Sequence, residues 1–135
     1  MIRRVEDEEP LIGEFIGKAF ADYATQNGVE LNYDDFCFVE EEDGKILGAI
    51  TGRAYYNEVH VVDLIVDPSC RRSGLGSRLV ATVEEAYKNK GYAKITLTTF
   101  GFQAPEFYKK LGYQIEFVRE SKDPKLSKFF LSKAL

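Results

Sequence analysis

The sequence predicts a single α/β domain with a mixed β-sheet. Three observations lead to this class: strand patterns alternate with helix patterns, one central strand is apolar on both of its faces, and no internal repeat or linker interrupts the order. A length of 135 residues is that of one ordinary domain. We therefore expect residues 1–135 to form one domain.

A short strand and a long helix are predicted first. Residues 1–5, MIRRV, have the composition of a strand, and the acidic residues and Pro10 that follow suit the beginning of a helix. Apolar side chains recur at spacings of three and four over residues 11–23. This periodicity is typical of an amphipathic helix, which should end near Gly28.

A hairpin and a central strand are predicted next. Asp43 and Gly44 form a turn signal between two runs rich in aromatic and β-branched residues. Residues 58–68, EVHVVDLIVDP, then carry apolar side chains on both faces, which is typical of a central strand covered on both sides. Strict alternation would divide these side chains into two sets, namely Val59, Val61 and Ile65 against Val62, Leu64 and Val66.

The second half of the chain alternates helices and strands. Apolar periodicity predicts a helix over residues 75–87, and a β-rich run predicts a strand over residues 92–100. Residues 104–112 predict a short helix with a proline in its first turn and a glycine after its end. Residues 113–120 and 125–135 are expected to complete the sheet as a final strand pair.

Composition and charge exclude several classes of protein. The chain has 44% apolar and 30% charged residues, which is average for a globular domain. No apolar run approaches the roughly 20 residues of a membrane span, and the first residues lack the apolar segment of a secretory signal. A net charge of −4 argues against nucleic acid as a partner. We expect a cytoplasmic protein without a membrane partner.

The cysteines and the histidine favour no metal site. Cys37 and Cys70 lie far apart and form no CxxC motif, so free thiols are a better interpretation than a disulfide or a zinc site. The chain has a single histidine, which leaves little material for binding a soft metal. We therefore expect no bound metal.

The loop after the central strand combines positive charge with glycine. Residues 70–80 have the sequence CRRSGLGSRLV, and a helix is predicted to begin within them. The first N–H groups of a helix have no partner within it, and the helix dipole adds positive potential there. Gly74 and Gly76 allow close backbone approach, and Arg71 and Arg72 carry donors suited to phosphate. An anion-binding loop and a plain turn with solvated arginines both remain open from this pattern, which is neither a Walker A loop nor a dinucleotide fingerprint.

Two motifs at a fixed separation identify a family. The first, L-x-V-x-P-x-x-R-x-x-G-x-G-x-x-L, consists of Leu64, Val66, Pro68, Arg71, Gly74, Gly76 and Leu79. The second, A-x-x-F-Y-x-K-x-G-Y, consists of Ala104, Phe107, Tyr108, Lys110, Gly112 and Tyr113. Together they resemble the two signatures of the GNAT superfamily of N-acetyltransferases, and the order of predicted elements follows that family along essentially the whole chain.

The resemblance implies a fold and a cosubstrate. The expected fold is a central, mixed, mostly antiparallel sheet flanked by helices on both faces. In GNAT proteins the loop binds the pyrophosphate of acetyl-CoA through its N–H groups, which here belong to Arg71, Arg72, Ser73, Gly74, Leu75, Gly76 and Ser77. The preceding strand bends away from its neighbour, and the pantetheine arm pairs with its backbone, here at Leu64, Ile65 and Val66. The N–H at the position of Leu64 polarises the acetyl carbonyl in the family.

Three residues are candidates for proton transfer. Tyr108 occupies the position that GNAT enzymes most often use as the acid for the departing thiolate, although a core tyrosine with a bonded hydroxyl is the alternative. His60 falls where several members carry a base, and an imidazole with its ordinary pKa of about 6.5 can accept an amine proton. A structural role for His60 remains open, and Glu58 is the second candidate for the base. Alternation places His60 and Asp63 on opposite faces unless a bulge intervenes.

One position departs from the family pattern. Many members carry an asparagine, which contacts the pantetheine arm, where this chain has Gly101. Gln103 or Thr99 could take over that contact.

The resemblance implies an acetyl-CoA-dependent N-acetyltransferase that acts on a primary amine, with a small molecule slightly favoured. Two alternatives stay open, namely an acetyltransferase of a protein or other macromolecule, and a coenzyme A-binding regulatory module without catalysis. The final strand, within residues 125–135, could be an edge strand that pairs across a homodimer.

Overall fold

The structure, a computed structural model, describes residues 1–135, which divide into two units, Met1–Asn32 and Tyr33–Leu135. The first unit contains helix α1 (Pro10–Gln26). The second contains a six-stranded sheet and two further helices. The prediction of one domain over residues 1–135 stays a prediction. None of the helices has the length and apolar character that crossing a membrane would require.

Helix α1 forms where the apolar periodicity predicts it. Pro10 stands in its first turn, where the fixed φ of proline suits a helix start. The helix ends at Asn27, whose backbone N–H and side-chain amide both donate to the Tyr23 carbonyl, at 3.2 and 2.9 Å. Gly28 follows with a φ of +69°, which glycine adopts at little cost.

The expected strand over residues 1–5 is wrong. Residues 1–5 form neither a strand nor a helix. Arg3 instead donates two hydrogen bonds to the Glu9 carboxylate, at 2.9 and 2.8 Å. The β-branched residues of this segment give only a local preference for extended backbone. A strand also needs a partner with which to form a ladder.

The second unit consists of six strands and two α-helices. The strands are β1 (Asp34–Glu42), β2 (Lys45–Tyr55), β3 (Glu58–Val66), β4 (Lys94–Phe100), β5 (Gln114–Arg119) and β6 (Lys128–Ala134). Helix α2 (Leu75–Tyr87) connects β3 to β4, and helix α3 (Pro105–Lys110) connects β4 to β5. The order across the sheet is β1-β2-β3-β4-β6-β5, with β3 and β4 parallel and the other neighbours antiparallel. The predicted α/β class with a mixed, mostly antiparallel sheet is confirmed.

The β1–β2 hairpin turns at the predicted residues. Asp43 and Gly44 have φ values of +51° and +77°. Positive φ at both central residues defines the tight turn whose twist matches that of the flanking strands. The hairpin prediction is confirmed.

The last strand is not at the edge of the sheet. β6 lies between β4 and β5, and its fully buried Leu131 is opposite Leu97 on one side and Ile115 on the other. The edge-strand expectation for residues 125–135 is therefore wrong, and β5 takes the edge position beside β6. Sequence patterns report the apolarity of a strand, but not which strand will be inserted between two others.

A β-bulge in β3 changes which side chains share a face. Thr51 pairs with Asp63 while Gly52 pairs with Val61, so Val62 is an extra residue on β3. After the bulge, Leu64 and Val66 join Val59 and Val61 against the core, whereas Val62 and Ile65 are 63% and 62% exposed. The division expected from strict alternation is therefore wrong beyond Val61.

Helix α2 packs on the face of the sheet that carries the buried side chains of Val59 and Val61. Its side chains Leu75, Leu79 and Val83 are nearly inaccessible and join one core with Val59 and Leu131. Burying an aliphatic side chain of this size contributes roughly 1.5–3 kcal/mol. The amphipathic stripe predicted for this helix is thus the feature that anchors the loop before it.

Candidate active site

The strands β3 and β4 are paired only at their first residues. Their ladder joins Glu58 to Lys94, Val59 to Ile95 and His60 to Thr96, whereas both strands continue well beyond these pairs. After His60 and Thr96 the two strands separate. The backbone groups of β3 on this side therefore lack a strand partner, and an extended ligand could supply one.

A cavity of about 1010 Å³ follows this gap. Its walls come from β3, the loop with the start of α2, and the turn between β4 and α3, with Leu64, Ile65, Val66, Cys70, Arg71, Arg72, Gly74, Leu75, Gly76, Ser77, Phe102, Gln103, Ala104 and Phe107 as lining residues. The cavity brings together all of the predicted cofactor-binding residues except Ser73 and Tyr108. Ser73 donates its hydroxyl to the Cys70 carbonyl instead.

The loop presents a row of unpaired backbone N–H groups. The Arg71 N–H donates to the Pro68 carbonyl at 3.5 Å, and the next bonded N–H is that of Arg78, 3.0 Å from the Gly74 carbonyl. The N–H groups of residues 72–77 between them have no acceptor within the chain. Arg72 and Gly74 have left-handed backbone conformations, with φ values of +65° and +82°. Alternating conformations of this kind direct successive N–H groups into one concave site for an anion.

The charged side chains of the loop are available to a ligand. Arg71 and Arg72 are exposed, and neither forms a salt bridge. The preceding turn is held by Asp67, whose carboxylate accepts the Ser69 N–H at 3.0 Å and also the Ser69 hydroxyl. These hydrogen bonds lower the pKa of Asp67, so this anchor is ionised at neutral pH.

Helix α3 lies close to the start of α2. A Cβ atom on Gly76 would be 3.2 Å from the ring of Phe107, which explains why the second glycine of the motif has a packing role. Tyr108, the next residue, is buried and packs edge-on against Phe107 and Tyr113, with ring centroids 5.0 and 5.8 Å apart.

The hydroxyl of Tyr108 has no hydrogen-bond partner within the chain, unlike two other buried tyrosines. The Tyr87 hydroxyl donates to Asp34 at 2.8 Å, and the Tyr113 hydroxyl donates to Glu84 at 3.2 Å. Burial raises the pKa of Tyr108 to about 12. The phenol is therefore protonated at neutral pH, and its proton is not committed to another side chain.

The candidate bases lie at the closed end of the gap. His60 is half-buried, and its Nδ1 lies 2.8 Å from Thr96 Oγ1. Glu58 accepts the Tyr55 hydroxyl at 2.8 Å, which raises the pKa of Tyr55. The bulge places Asp63 on the same face as His60, where it accepts the Thr51 hydroxyl at 2.8 Å.

His60 and Tyr108 lie on opposite faces of the sheet. Tyr108 belongs to the core with Val59, whereas His60, the next residue of β3, points to the other face. Neither side chain lines the cavity along the gap.

Gly101 is a glycine because another backbone lies against it. A Cβ atom there would be 2.3 Å from the Pro124 carbonyl oxygen, and the Gly101 N–H donates to the Ser127 carbonyl at 2.8 Å. The two proposed substitutes for the family asparagine hold the turn after β4. Thr99 Oγ1 accepts the Ala104 N–H at 3.2 Å, and Gln103 Oε1 accepts the Phe100 N–H at 2.9 Å. Gln103 lines the cavity and Thr99 does not.

Four cavity residues were not among the predicted site residues, namely Cys70, Phe102, Ala104 and Phe107. Ala104 and Phe107 belong to the second motif, so that motif could have indicated them, whereas Cys70 and Phe102 carry no local signal. Cys37 and Cys70 are both free. The structure brings no three His, Cys, Asp or Glu side chains together in a group that could hold a metal ion.

The known sequences to which this chain is similar are acetyltransferases. A sequence model described as the acetyltransferase (GNAT) family matches residues 4–113. The blasticidin-S acetyltransferase of Streptomyces morookaense is 39% identical over 75 residues, covering 55% of this chain and 55% of that protein. The glucosamine 6-phosphate N-acetyltransferase of Trypanosoma brucei brucei is 33% identical over 87 residues, covering 57% and 56%. The chain spans about half the length of these curated relatives.

Comparison with solved structures covers more of the chain. An acetyltransferase from Bacillus cereus ATCC 14579 is 35% identical, with a TM-score of 0.79 over 98% of both chains. An aminoglycoside 6'-N-acetyltransferase complexed with coenzyme A is 20% identical, with a TM-score of 0.65 over 74% of this chain and 72% of that one. At that lower identity the second likeness concerns the fold alone.

Proposed function

Because the chain belongs to the acetyltransferase (GNAT) family, we propose that it is an N-acetyltransferase that transfers the acetyl group of acetyl-CoA to a primary amine. The observation that carries this proposal is the separation of β3 from β4 after His60 and Thr96, next to a loop of unpaired N–H groups. One cavity thereby joins an anion-binding end to an open strand edge.

The residues of the cavity fit acetyl-CoA. The N–H groups of residues 72–77, with the positive charges of Arg71 and Arg72, suit a pyrophosphate. The free backbone edge of Leu64–Val66 suits the amides of an extended pantetheine arm. Ser73 would contribute its N–H and not its hydroxyl, since the hydroxyl donates to the Cys70 carbonyl.

Acetyl-CoA supplies a thioester carbonyl that a neutral amine can attack. The chain must then accept a proton from the amine, donate one to the departing sulfur and stabilise negative charge on the carbonyl oxygen. For the acid we propose Tyr108, which is supported by its unengaged hydroxyl. Its pKa of about 12 means that the phenol carries its proton at neutral pH. The N–H of Leu64 is our candidate donor to the carbonyl oxygen.

For the base we propose His60, which would act directly or through one water molecule. Its support is the hydrogen bond between Nδ1 and Thr96 Oγ1, which holds the ring at the closed end of the gap and leaves Nε2 for the amine proton. Glu58 remains the second candidate, although its carboxylate already accepts the Tyr55 hydroxyl.

A small amine is the acceptor we favour. The names of the relatives from S. morookaense and T. brucei brucei specify blasticidin S and glucosamine 6-phosphate, both small molecules. The free thiols of Cys37 and Cys70 agree with a cytoplasmic location, which we include in the proposal.

The test is thiol release from acetyl-CoA against a panel of amines, together with a titration of acetyl-CoA binding. We expect tight binding of acetyl-CoA and release of free thiol with at least one amine, with the acetylated product detected by mass spectrometry. Binding without turnover of any amine or protein would contradict catalysis and support a regulatory module. Acetylation of proteins in cell extract, with no small amine acetylated, would replace the small acceptor by a macromolecule.

A further inference from the structure

A second cavity, of about 540 Å³, lies on the face of the sheet that carries His60. It shares no lining residue with the cavity along the gap. One of its ends is formed by Glu58, His60 and Thr96, and the other by Phe130 and Lys128. Its volume is that of a small-molecule site.

Strand register determines how the two ends are separated. On β4, Thr96, Thr98 and Phe100 alternate onto this face, and their partners on β6 are Ser132, Phe130 and Lys128. Phe130 is therefore two residues and Lys128 four residues from the level of His60. At about 3.3 Å per strand residue, the two ends are roughly 7–13 Å apart.

Two cations without a carboxylate partner lie at the far end of the cavity, where Lys128 is a lining residue and Arg119 is not. Lys128 Nζ lies 5.4 Å from the ring centroid of Phe130 and 6.0 Å from that of Phe100. Arg119, which is opposite Lys128 in the β5–β6 pair, places its guanidinium carbon 5.3 Å from the same Phe130 ring. Neither cation forms a salt bridge. Ring faces attract both cations but do not neutralise their charge.

The end near His60 has the opposite balance of charge. It holds the carboxylates of Glu58 and Glu116 against one ammonium, that of Lys94, which lies 3.8 Å from Glu116. The two ends of the cavity therefore differ in charge. The end beside His60 has an excess of negative charge, and the end at Lys128 is positively charged. The ring of Phe117 packs against that of Phe130, with the ring centroids 5.7 Å apart.

We propose that the acceptor is a small molecule that carries a primary amine at one end and an anionic group, a carboxylate or a phosphate, at the other. The amine lies near Glu58 and His60, and the anion is bound by Lys128 with Arg119 at the rim. This inference rests on the proposed function, since it names the acceptor of that reaction. Two adjacent cations on ring faces offer the forked and point-charge donors that carboxylate and phosphate accept.

The first test compares matched acceptors. The pairs are 6-aminohexyl phosphate with 6-aminohexanol, and 6-aminohexanoate with 6-aminohexanamide, so the two anions are tested separately on chains of suitable length. We expect kcat/KM to be at least about tenfold higher for the anionic member of one or both pairs. In Lys128→Met, kcat/KM should fall about tenfold more for the anionic member than for the neutral one, chiefly through KM. The control Lys122→Met, an exposed lysine outside the cavity, should keep the wild-type preference.

The second test does not depend on turnover. Inorganic phosphate is titrated into the protein saturated with coenzyme A, and the amide NMR shifts of Lys128 and Phe130 are followed. We expect saturable shifts that Lys128→Met abolishes and Lys122→Met retains. If no amine is acetylated but these shifts appear, the proposed function fails and the anion site stands. Equal kcat/KM for neutral and anionic acceptors, acetylation of proteins only, or phosphate shifts that survive Lys128→Met would each overturn the inference.

Discussion

Nδ1 of His60 lies 2.8 Å from Oγ1 of Thr96, across the last residue pair that β3 and β4 share. The bond orients the imidazole where the two strands separate. It also leaves Nε2 as the ring nitrogen able to meet a substrate. The bulge at Val62, in the β2–β3 pair, begins two residues later.

Replacing His60 by alanine should lower kcat by about 100-fold across the pH–rate profile, since a general base contributes a factor of this order. Steady-state rates between pH 5 and 9 provide the measurement. Thr96→Val, which removes only the hydroxyl at Nδ1, should give a smaller loss in kcat. If His60→Ala kept the wild-type kcat across this range, Glu58 or bulk water would be the base, and Glu58→Gln would decide between them.

Replacing Tyr108 by phenylalanine should lower kcat by about 100-fold or more while acetyl-CoA binding changes little. The variant keeps the buried ring and removes only the hydroxyl whose pKa burial raises to about 12. Stopped or continuous thiol assays measure kcat, and calorimetry measures binding. Tyr87→Phe is the matched control, since its hydroxyl binds Asp34 away from the gap, so it should cost stability but not kcat. Wild-type turnover of Tyr108→Phe at every pH would remove Tyr108 from the mechanism.

Replacing Arg71 by glutamine should raise the Kd of coenzyme A about tenfold, because a hydrogen bond to a charged group contributes about 1.5 kcal/mol. Arg72→Gly should have a smaller effect, since its φ of +65° suits glycine and its N–H is kept. Calorimetry at two salt concentrations measures both, and Lys88→Gln, at the far end of α2, is the control. This prediction assigns the side chain of Arg71, but only the backbone N–H of Arg72, to the binding of coenzyme A. An effect of Arg72→Gly that equals or exceeds that of Arg71→Gln would contradict it.

Introducing the family asparagine at Gly101 should destabilise this chain by about 1–3 kcal/mol, because the new Cβ would lie 2.3 Å from the Pro124 carbonyl oxygen. Urea unfolding followed by circular dichroism measures the loss. Gly17→Asn is the control, since a Cβ on Gly17 of α1 has no atom within 4 Å. Equal stabilities of Gly101→Asn and the wild type would show that the β5–β6 connection moves aside at little cost.

The free energy of unfolding should fall as the pH rises from about 10 to 12. Burial raises the pKa values of Tyr87, Tyr108 and Tyr113 in the folded chain above their ordinary value of 10.0. The unfolded chain then releases phenolic protons that the folded chain retains, so its proton number is lower and stability decreases with pH. Urea unfolding at pH 9, 10 and 11 measures the slope, and Tyr113→Phe should reduce it. A slope of zero over this range would contradict the prediction.

Much of the lining of the cavity along the gap could be predicted from sequence because its parts are local. The loop around Gly74 lies next to the strand and the helix that hold it, and periodicity predicts both. The second cavity was not predicted. Lys128 and Arg119 have no unusual neighbours in sequence, and they become a pair only because β6 places them opposite each other.

The order of helices and strands after residue 10, the hairpin turn at Asp43, and the loop whose N–H groups suit a pyrophosphate all follow from sequence patterns. Each of these features depends on residues that are close together in the chain, so a local pattern is enough to predict it. The bulge at Val62, the insertion of β6 between β4 and β5, and the contact of Gly101 with Pro124 come from the three-dimensional structure and have no such pattern. Each of these depends on which distant segment supplies the hydrogen-bond partner, and that choice is made by the packing of the whole sheet.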